Sequence, residues 1–149
     1  MIKIRKFRIE DHNKVVNVVR DALFGIYSAE PTGLEDLDDI DGNYVEKGGV
    51  FYVAEDGDNI VGTIAVKVDG SFPRLKRLYV AQDWRRQGIG QMLLDKIIDF
   101  CEGKGYDKIM LSTTPEMKDA IRFYKKNGFV ETDKAKDAIF CERALKNQK

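Results

Sequence analysis

The stretch Leu78-Tyr79-Val80-Ala81-Gln82-Asp83-Trp84-Arg85-Arg86-Gln87-Gly88-Ile89-Gly90-Gln91-Met92-Leu93 decides the reading of this chain. It passes from an apolar, strand-like triplet through a polar turn into a helix whose residues Ile89, Met92, Leu93, Ile97 and Phe100 form one stripe. A helix that begins this way presents backbone N–H groups without an intrahelical acceptor, and its dipole adds partial positive charge at the same point. Together these make an anion site. Gly88 and Gly90 let a diphosphate approach the backbone with no Cβ in the way. Arg85 and Arg86 add positive charge at the rim, and Arg74, Lys76 and Arg77 extend it upstream. Strand, glycine turn and helix read as a diphosphate cradle.

The rest of the chain can be read outward from this point. Ile2–Phe7 alternates apolar and basic residues, the pattern of a strand. Glu10 and Asp11 open a helix carrying Val15, Val18, Val19, Ala22 and Leu23, with negative charge at its positive end. Pro31 and Gly33 interrupt the chain, and Leu34, Leu37, Ile40 and Tyr44 predict a second, short helix. Val50–Glu55 and Asn59–Val68 are β-branched runs joined by the turn Glu55-Asp56-Gly57-Asp58-Asn59, which predicts a hairpin. Leu75–Val80 is the next strand, and Gly103 and Gly105 stop the helix begun at Gly88. Lys108–Ser112 reads as a short buried strand and Met117–Asn127 as a helix ended by Gly128. Phe129–Thr132 and Ala138–Leu145 close as strands. The order β-α-α-β-β-β-α-β-α-β-β predicts an α+β fold, a mixed, mostly antiparallel sheet of about seven strands flanked by four helices.

Composition narrows the function classes. A length of 149 residues predicts a single domain over 1–149. Lys plus Arg equals Asp plus Glu at 25 each, which excludes a generally basic nucleic-acid binder and an acidic solvating tail. No uncharged run exceeds eight residues, against the ~20 needed to cross a bilayer. The start MIKIRKFRIEDH has no apolar stretch behind its charges, so no signal peptide is read and a cytoplasmic location is expected. Cys101 and Cys141 read as small buried hydrophobes, and no disulfide framework is expected. His12 is the only histidine, so neither a usual zinc site nor a Ser-His-Asp triad is at hand. Asp36–Gly42 imitates a calcium loop but puts Ile40 and Lys47 at the fifth and twelfth positions. No metal is expected, and Gly88-Ile89-Gly90 lacks the third glycine of a dinucleotide fingerprint.

The R-x-x-G-x-G of Arg85-Arg86-Gln87-Gly88-Ile89-Gly90, placed after Leu78-Tyr79-Val80, resembles the acyl-CoA motif of the GNAT N-acetyltransferases. Ala120-Ile121-Arg122-Phe123-Tyr124-Lys125-Lys126-Asn127-Gly128-Phe129 is similar to that family's A-x-x-x-Y-x-x-x-G-F stretch. The hairpin Val53-Ala54-Glu55 to Ile60-Val61-Gly62 is similar to its V-A-E…I-V-G pattern. The resemblance covers nearly the whole chain in the right order. It implies the GNAT fold and transfer of an acetyl group from acetyl-CoA to an amine, without a metal and without a covalent enzyme intermediate. It implies further that the backbone of Leu78, Tyr79 and Val80 pairs with the pantetheine arm, and that the N–H groups of Gln87, Gly88, Ile89, Gly90 and Gln91 hold the diphosphate. Tyr124 would stand near the thioester sulfur, and a homodimer is common in the family. Two positions depart from the pattern. Met117 stands where many members have Asn, and Pro73–Val80 contains no acid to serve as base.

From Asp21 to Glu46 there are eight acidic residues and no Lys or Arg. The resemblance sets this segment beside the acceptor pocket, where it would attract a cationic amine; a solvated helix face is the plain alternative. Tyr27, Glu30 and Tyr44 are the candidate acceptor-binding residues, and small, peptide and protein amines all remain open as acceptors. A different class of function is an acetyl-CoA-binding sensor that has lost transfer. A nucleic-acid module resting on the basic run Arg74–Arg86 is the third, though cofactor phosphates account for that run.

Overall fold

The computed structural model describes residues 1–146. The strands are β1 (Ile2–Lys6), β2 (Val50–Asp56), β3 (Asn59–Asp69), β4 (Phe72–Val80), β5 (Lys108–Thr113), β6 (Val130–Lys134) and β7 (Ile139–Ala144). The α-helices are α1 (His12–Tyr27), α2 (Ile89–Gly103) and α3 (Lys118–Lys126). All seven strands join one sheet in the order β1-β2-β3-β4-β5-β7-β6. Every neighbouring pair is antiparallel except β4 and β5, which run parallel.

β2 and β3 read as almost unbroken apolar runs because both faces of the sheet are covered. Phe51, Val53 and Ala65 face α1 and the segment after it, packing with Val15, Val19, Leu37 and Tyr44. Tyr52, Ala54, Ile64 and Val66 face the other way, against Leu93, Leu94 and Ile97 of α2. Cys101 and Cys141 are buried and unpaired, and burial pushes the Cys101 thiol up to about 12. No helix among the described residues is long and apolar enough to cross a membrane.

Two elements differ from their sequence reading. The segment expected as a short helix is a 3₁₀ turn, Glu35–Asp39, running into a π-helical turn, Asp41–Val45. The Asp39 carboxylate accepts the Gly42 N–H at 3.0 Å, and a Cβ on Gly42 would fall 2.1 Å from that carboxylate. The wide turn still buries Leu37, Ile40 and Tyr44. The helix expected to open at Glu10 begins instead at His12, after a 3₁₀ turn at Ile9–Asp11. Asp11 is held by both terminal nitrogens of Arg5 at 2.8 Å and by the Arg8 N–H at 2.8 Å. Arg5 also reaches Glu55 at 2.7 Å, so one guanidinium ties β1, β2 and the head of α1.

β4 positions the site. Thr63 pairs with Tyr79 and Ala65 with Lys76, so β4 carries a bulge there, with Arg77 at φ 58°. The Thr63 hydroxyl donates to the Arg77 carbonyl at 2.7 Å and fixes the bulge. β4 and β5 pair only through Arg74 and Met110. Beyond that point the two strands stand apart, leaving a wedge between Leu78–Val80 and Ser112–Thr113.

Candidate active site

Two cavities meet at Leu78. The first, about 610 Å³, lies between the start of α2 and the side of α3. Gly88 is the cap of α2 at φ 80°, a conformation that favours glycine. The first N–H of α2 with a backbone acceptor is that of Met92, bonded to the Gly88 carbonyl at 3.1 Å. The N–H groups of Gln87 through Gln91 have no acceptor among the described residues. Gly90 has no positive φ, and a Cβ there would lie 3.8 Å from Phe123, an ordinary contact. Neither strain nor crowding demands glycine at this position, so what a methyl group would take up is cavity space. Arg85 donates to the Val80 carbonyl at 3.1 Å, and Trp84, Ala120 and Phe123 supply apolar wall. Gln91 bonds Asn127 at 2.9 Å and fastens α2 to the end of α3. The donor set suits a diphosphate followed by a long, mostly apolar arm running toward Leu78.

The second cavity, about 380 Å³, occupies the wedge. Ser112, Thr113, Met117 and Tyr124 line one side. Tyr124 is 6% exposed, packed edge-on against Phe123 and Phe129, and its hydroxyl has no hydrogen-bond partner among the described residues. Burial raises its pKa above the ordinary phenol value. The Thr113 hydroxyl donates to the Met117 sulfur at 3.5 Å, so Met117 packs at the rim of the wedge.

Lys67, Lys76, Arg77 and Tyr79 line the opposite side, with Asp36 and Tyr44. Arg77 grips Asp36 through two nitrogens, at 3.1 and 2.5 Å, and reaches the Gly33 carbonyl at 2.8 Å. Tyr44 donates to the same carboxylate at 2.5 Å. Burial would raise the Asp36 pKa, but the bonds from Arg77 and Tyr44 outweigh it and hold the carboxyl below its usual value. A carboxylate held this way is a poor proton acceptor.

The structure thus brings Leu78, Val80, Arg85, Arg86, Gly88, Ile89, Gly90 and Gln91 to the first cavity, and Leu78, Tyr79, Tyr44 and Tyr124 to the second. Gln87 lines neither cavity with its side chain, which turns back to the Asp83 carbonyl. Tyr27 and Glu30 do not line the wedge. They flank a shallow hollow with Leu23 and Pro31, where Tyr27 bonds Thr114 at 2.6 Å and Glu30 pairs with Arg20 at 3.5 Å. The segment carrying the acidic run walls the wedge through Gly33, Asp36 and Tyr44, but Asp36 is the one acid of the run in that lining and its charge is taken by Arg77. The wedge owes its electrostatics to Lys67, Lys76 and Arg77, and sequence reading gave the two β4 residues to the cofactor phosphates. The alternation of Lys76 with Leu75 is the signal that could have placed Lys76 on the α1 side of the sheet, whereas Arg77, next to it, reaches that side through the bulge.

The acetyltransferase (GNAT) family model matches residues 14–129. N-acetyltransferase 8 of Homo sapiens is 34% identical over 113 residues, covering 71% of this chain and 48% of that protein. The probable N-acetyltransferase camello of Xenopus tropicalis is 31% identical over 116 residues, covering 71% and 52%. The chain spans about half the length of these curated relatives. A GNAT-family acetyltransferase from Staphylococcus aureus Mu50 superposes with a TM-score of 0.89 at 29% identity, over 98% of this chain and 100% of its own. The PaiA N-acetyltransferase from Thermoplasma acidophilum, in complex with coenzyme A, shares the fold at a TM-score of 0.86 and 23% identity, over 97% and 99%.

Proposed function

Because this chain belongs to the acetyltransferase (GNAT) family, we propose that it moves an acetyl group from acetyl-CoA to an amine by direct transfer in a ternary complex. The observation that carries this reading is the continuity of the free N–H groups at the start of α2, through Leu78, with the wedge that holds Tyr124. The complex of the PaiA N-acetyltransferase with coenzyme A, in the same fold, supports the cofactor assignment.

In this reading Gln87 through Gln91 bind the diphosphate with their backbone N–H groups, while Arg86 adds charge from the rim. The backbone edge of Leu78–Val80 that β5 leaves unpaired, with the Val80 carbonyl held by Arg85, aligns the pantetheine arm as an added strand. Tyr124 faces the sulfur. A thiol has a pKa of about 8.5 and a phenol one of about 10, and burial lifts this phenol further. Full proton transfer from Tyr124 to the thiolate is therefore uphill, and its part is to donate a hydrogen bond as the thiolate leaves.

On the acceptor side, neutralising an alkyl ammonium of pKa about 10.4 at pH 7 costs about 4.6 kcal/mol. With Asp36 engaged by Arg77, no lining carboxylate offers itself as base. The cations around the wedge lower this cost themselves, since like charges disfavour the ammonium form, and water carries the proton away.

The test is thiol release from acetyl-CoA across small amines, amino acids and peptides, with the acetylated product identified by its mass. Amine-dependent release is expected. Acetyl-CoA binding seen by calorimetry, with no release on any amine, would contradict transfer and favour a sensor.

A further inference from the structure

The acceptor end of the wedge carries positive charge that the chain does not neutralise. Lys67, Lys76 and Arg77 line it, and Arg74 stands opposite Lys67 in the β3–β4 register. Asp36, the carboxylate in this lining, is engaged by Arg77 and Tyr44. Lys67 and Lys76 are half-buried, and neither makes an ion pair or a side-chain hydrogen bond among the described residues. A partly desolvated ammonium without a partner at the wall of a cavity is suited to an anion that enters it. Burial, together with Arg74, Lys67 and Arg77, holds the Lys76 pKa below its usual value, against the pull of Asp69.

Cofactor phosphates are poorly placed to supply the missing charge. Lys76 precedes Val80 by four residues, roughly 13 Å along an extended strand. The cradle begins only beyond Val80, and Lys76 and Lys67 line the wedge rather than the cradle. The acidic run between α1 and β2 leaves them unpaired as well.

We propose that the acceptor is an amine that also bears a carboxylate, of the amino-acid type, with the carboxylate held by Lys67 and Lys76 and the amine directed toward the Leu78–Tyr124 side of the wedge. This rests on the acetyl-transfer reading above, and it replaces the cationic amine expected from the acidic run. The same cations that bind the carboxylate favour the neutral amine. The amine nitrogen then forms a bond to the thioester carbonyl carbon as the carbon–sulfur bond breaks. Sulfur leaves with the bonding electron pair and ends as a thiol, having taken up, through water, the proton the nitrogen gives up.

The test compares free α-amino acids with their own α-carboxamides, phenylalanine against phenylalaninamide and alanine against alaninamide, by steady-state thiol release. Expressed per neutral amine, because a carboxamide lowers the pKa of its neighbouring amine, the expected kcat/KM is at least ~10-fold higher for the carboxylates, carried mostly by KM, as charge-assisted hydrogen bonds would give. Lys67→Met and Lys76→Met, made separately so that misfolding of one leaves the other, should each bring that ratio close to one. Lys3→Met, a cation on β1 far from the wedge, should keep it. Equal use of acids and amides by the unaltered protein would overturn the proposal while leaving acetyl transfer intact. So would an equal loss of kcat on both acceptors in Lys76→Met with the ratio kept, which would mark Lys76 as a proton acceptor. Release with no amine of any kind would overturn the transfer reading and this inference with it.

Discussion

Gly90→Ala separates the cofactor role of the glycine turn from its role in folding. In a chain that merely needed a helix start here, alanine would be the better residue. Gly90 has no positive φ, lies in the first turn of α2, and its added Cβ would meet Phe123 at 3.8 Å. Glycine in a helix interior is about 1 kcal/mol less favourable than alanine, and a first-turn position feels about half of that. The variant is therefore expected to gain about 0.5 kcal/mol, a rise in Tm of roughly 1–2 °C for a chain of this size. Binding should move the opposite way. The methyl group projects into the space where a diphosphate would meet the N–H groups of Ile89, Gly90 and Gln91. Losing one or two charge-assisted hydrogen bonds at about 1.5–3 kcal/mol in total weakens acetyl-CoA roughly 10- to 150-fold. Differential scanning calorimetry and isothermal titration with acetyl-CoA read the two effects on one sample. A variant that is equally stable or more stable and binds acetyl-CoA as tightly as the parent would refute the cradle.

Three further outcomes follow from the same geometry. Tyr124→Phe removes a hydroxyl that has no hydrogen-bond partner among the described residues, so stability should hold while kcat falls ~10²-fold with little change in KM for acetyl-CoA; unchanged turnover would remove Tyr124 from the chemistry. Asp36→Asn leaves the Arg77 guanidinium without its counter-charge, and should cost about 1–3 kcal/mol in denaturant unfolding while acetyl-CoA affinity is kept. Arg5 holds the Asp11 carboxyl below its ordinary value, chiefly through their hydrogen bonds. The folded pKa thus lies below the unfolded value of about 3.9, so the contribution is full above that pH and is lost as pH falls through the folded value. Arg5→Met should destabilise by about 2 kcal/mol at pH 7, and should flatten the acid limb of stability below about pH 4.

The parts of the fold that were legible in the sequence are those where a local pattern and its tertiary surroundings agree. Helix α2, the Gly57 turn and the β-branched runs of β2 and β3 each have a period or a turn residue that admits one reading, although the buried face of α2 takes Leu94, Ile98 and Cys101 and leaves Met92, expected in its stripe, exposed. The 3₁₀ and π-helical turns over Glu35–Val45 were hidden because Leu37, Ile40 and Tyr44 have helical spacing, whereas Asp39 and Gly42 set the actual backbone through one local bond. The β4 bulge was hidden for a related reason. Arg77 takes a left-handed φ that its type disfavours, and what holds it there is Thr63, fourteen residues away, together with Asp36. The geometry of the glycine turn was legible because it is carried by the backbone, which sequence spacing fixes. The wedge was less so. Its charge depends on which acids reach Arg77 and which lysines stay unpaired, and that is decided by contacts across forty residues or so, such as Arg77 with Asp36.

The most direct test of the account is the structure of this protein crystallised with coenzyme A. The diphosphate is expected on the backbone N–H groups of Gln87 through Gln91, the pantetheine arm against Leu78–Val80, and the sulfur within reach of the Tyr124 hydroxyl. Coenzyme A bound elsewhere, for example in the groove between α1 and the Trp84–Arg85 turn, with the start of α2 left bare, would contradict it.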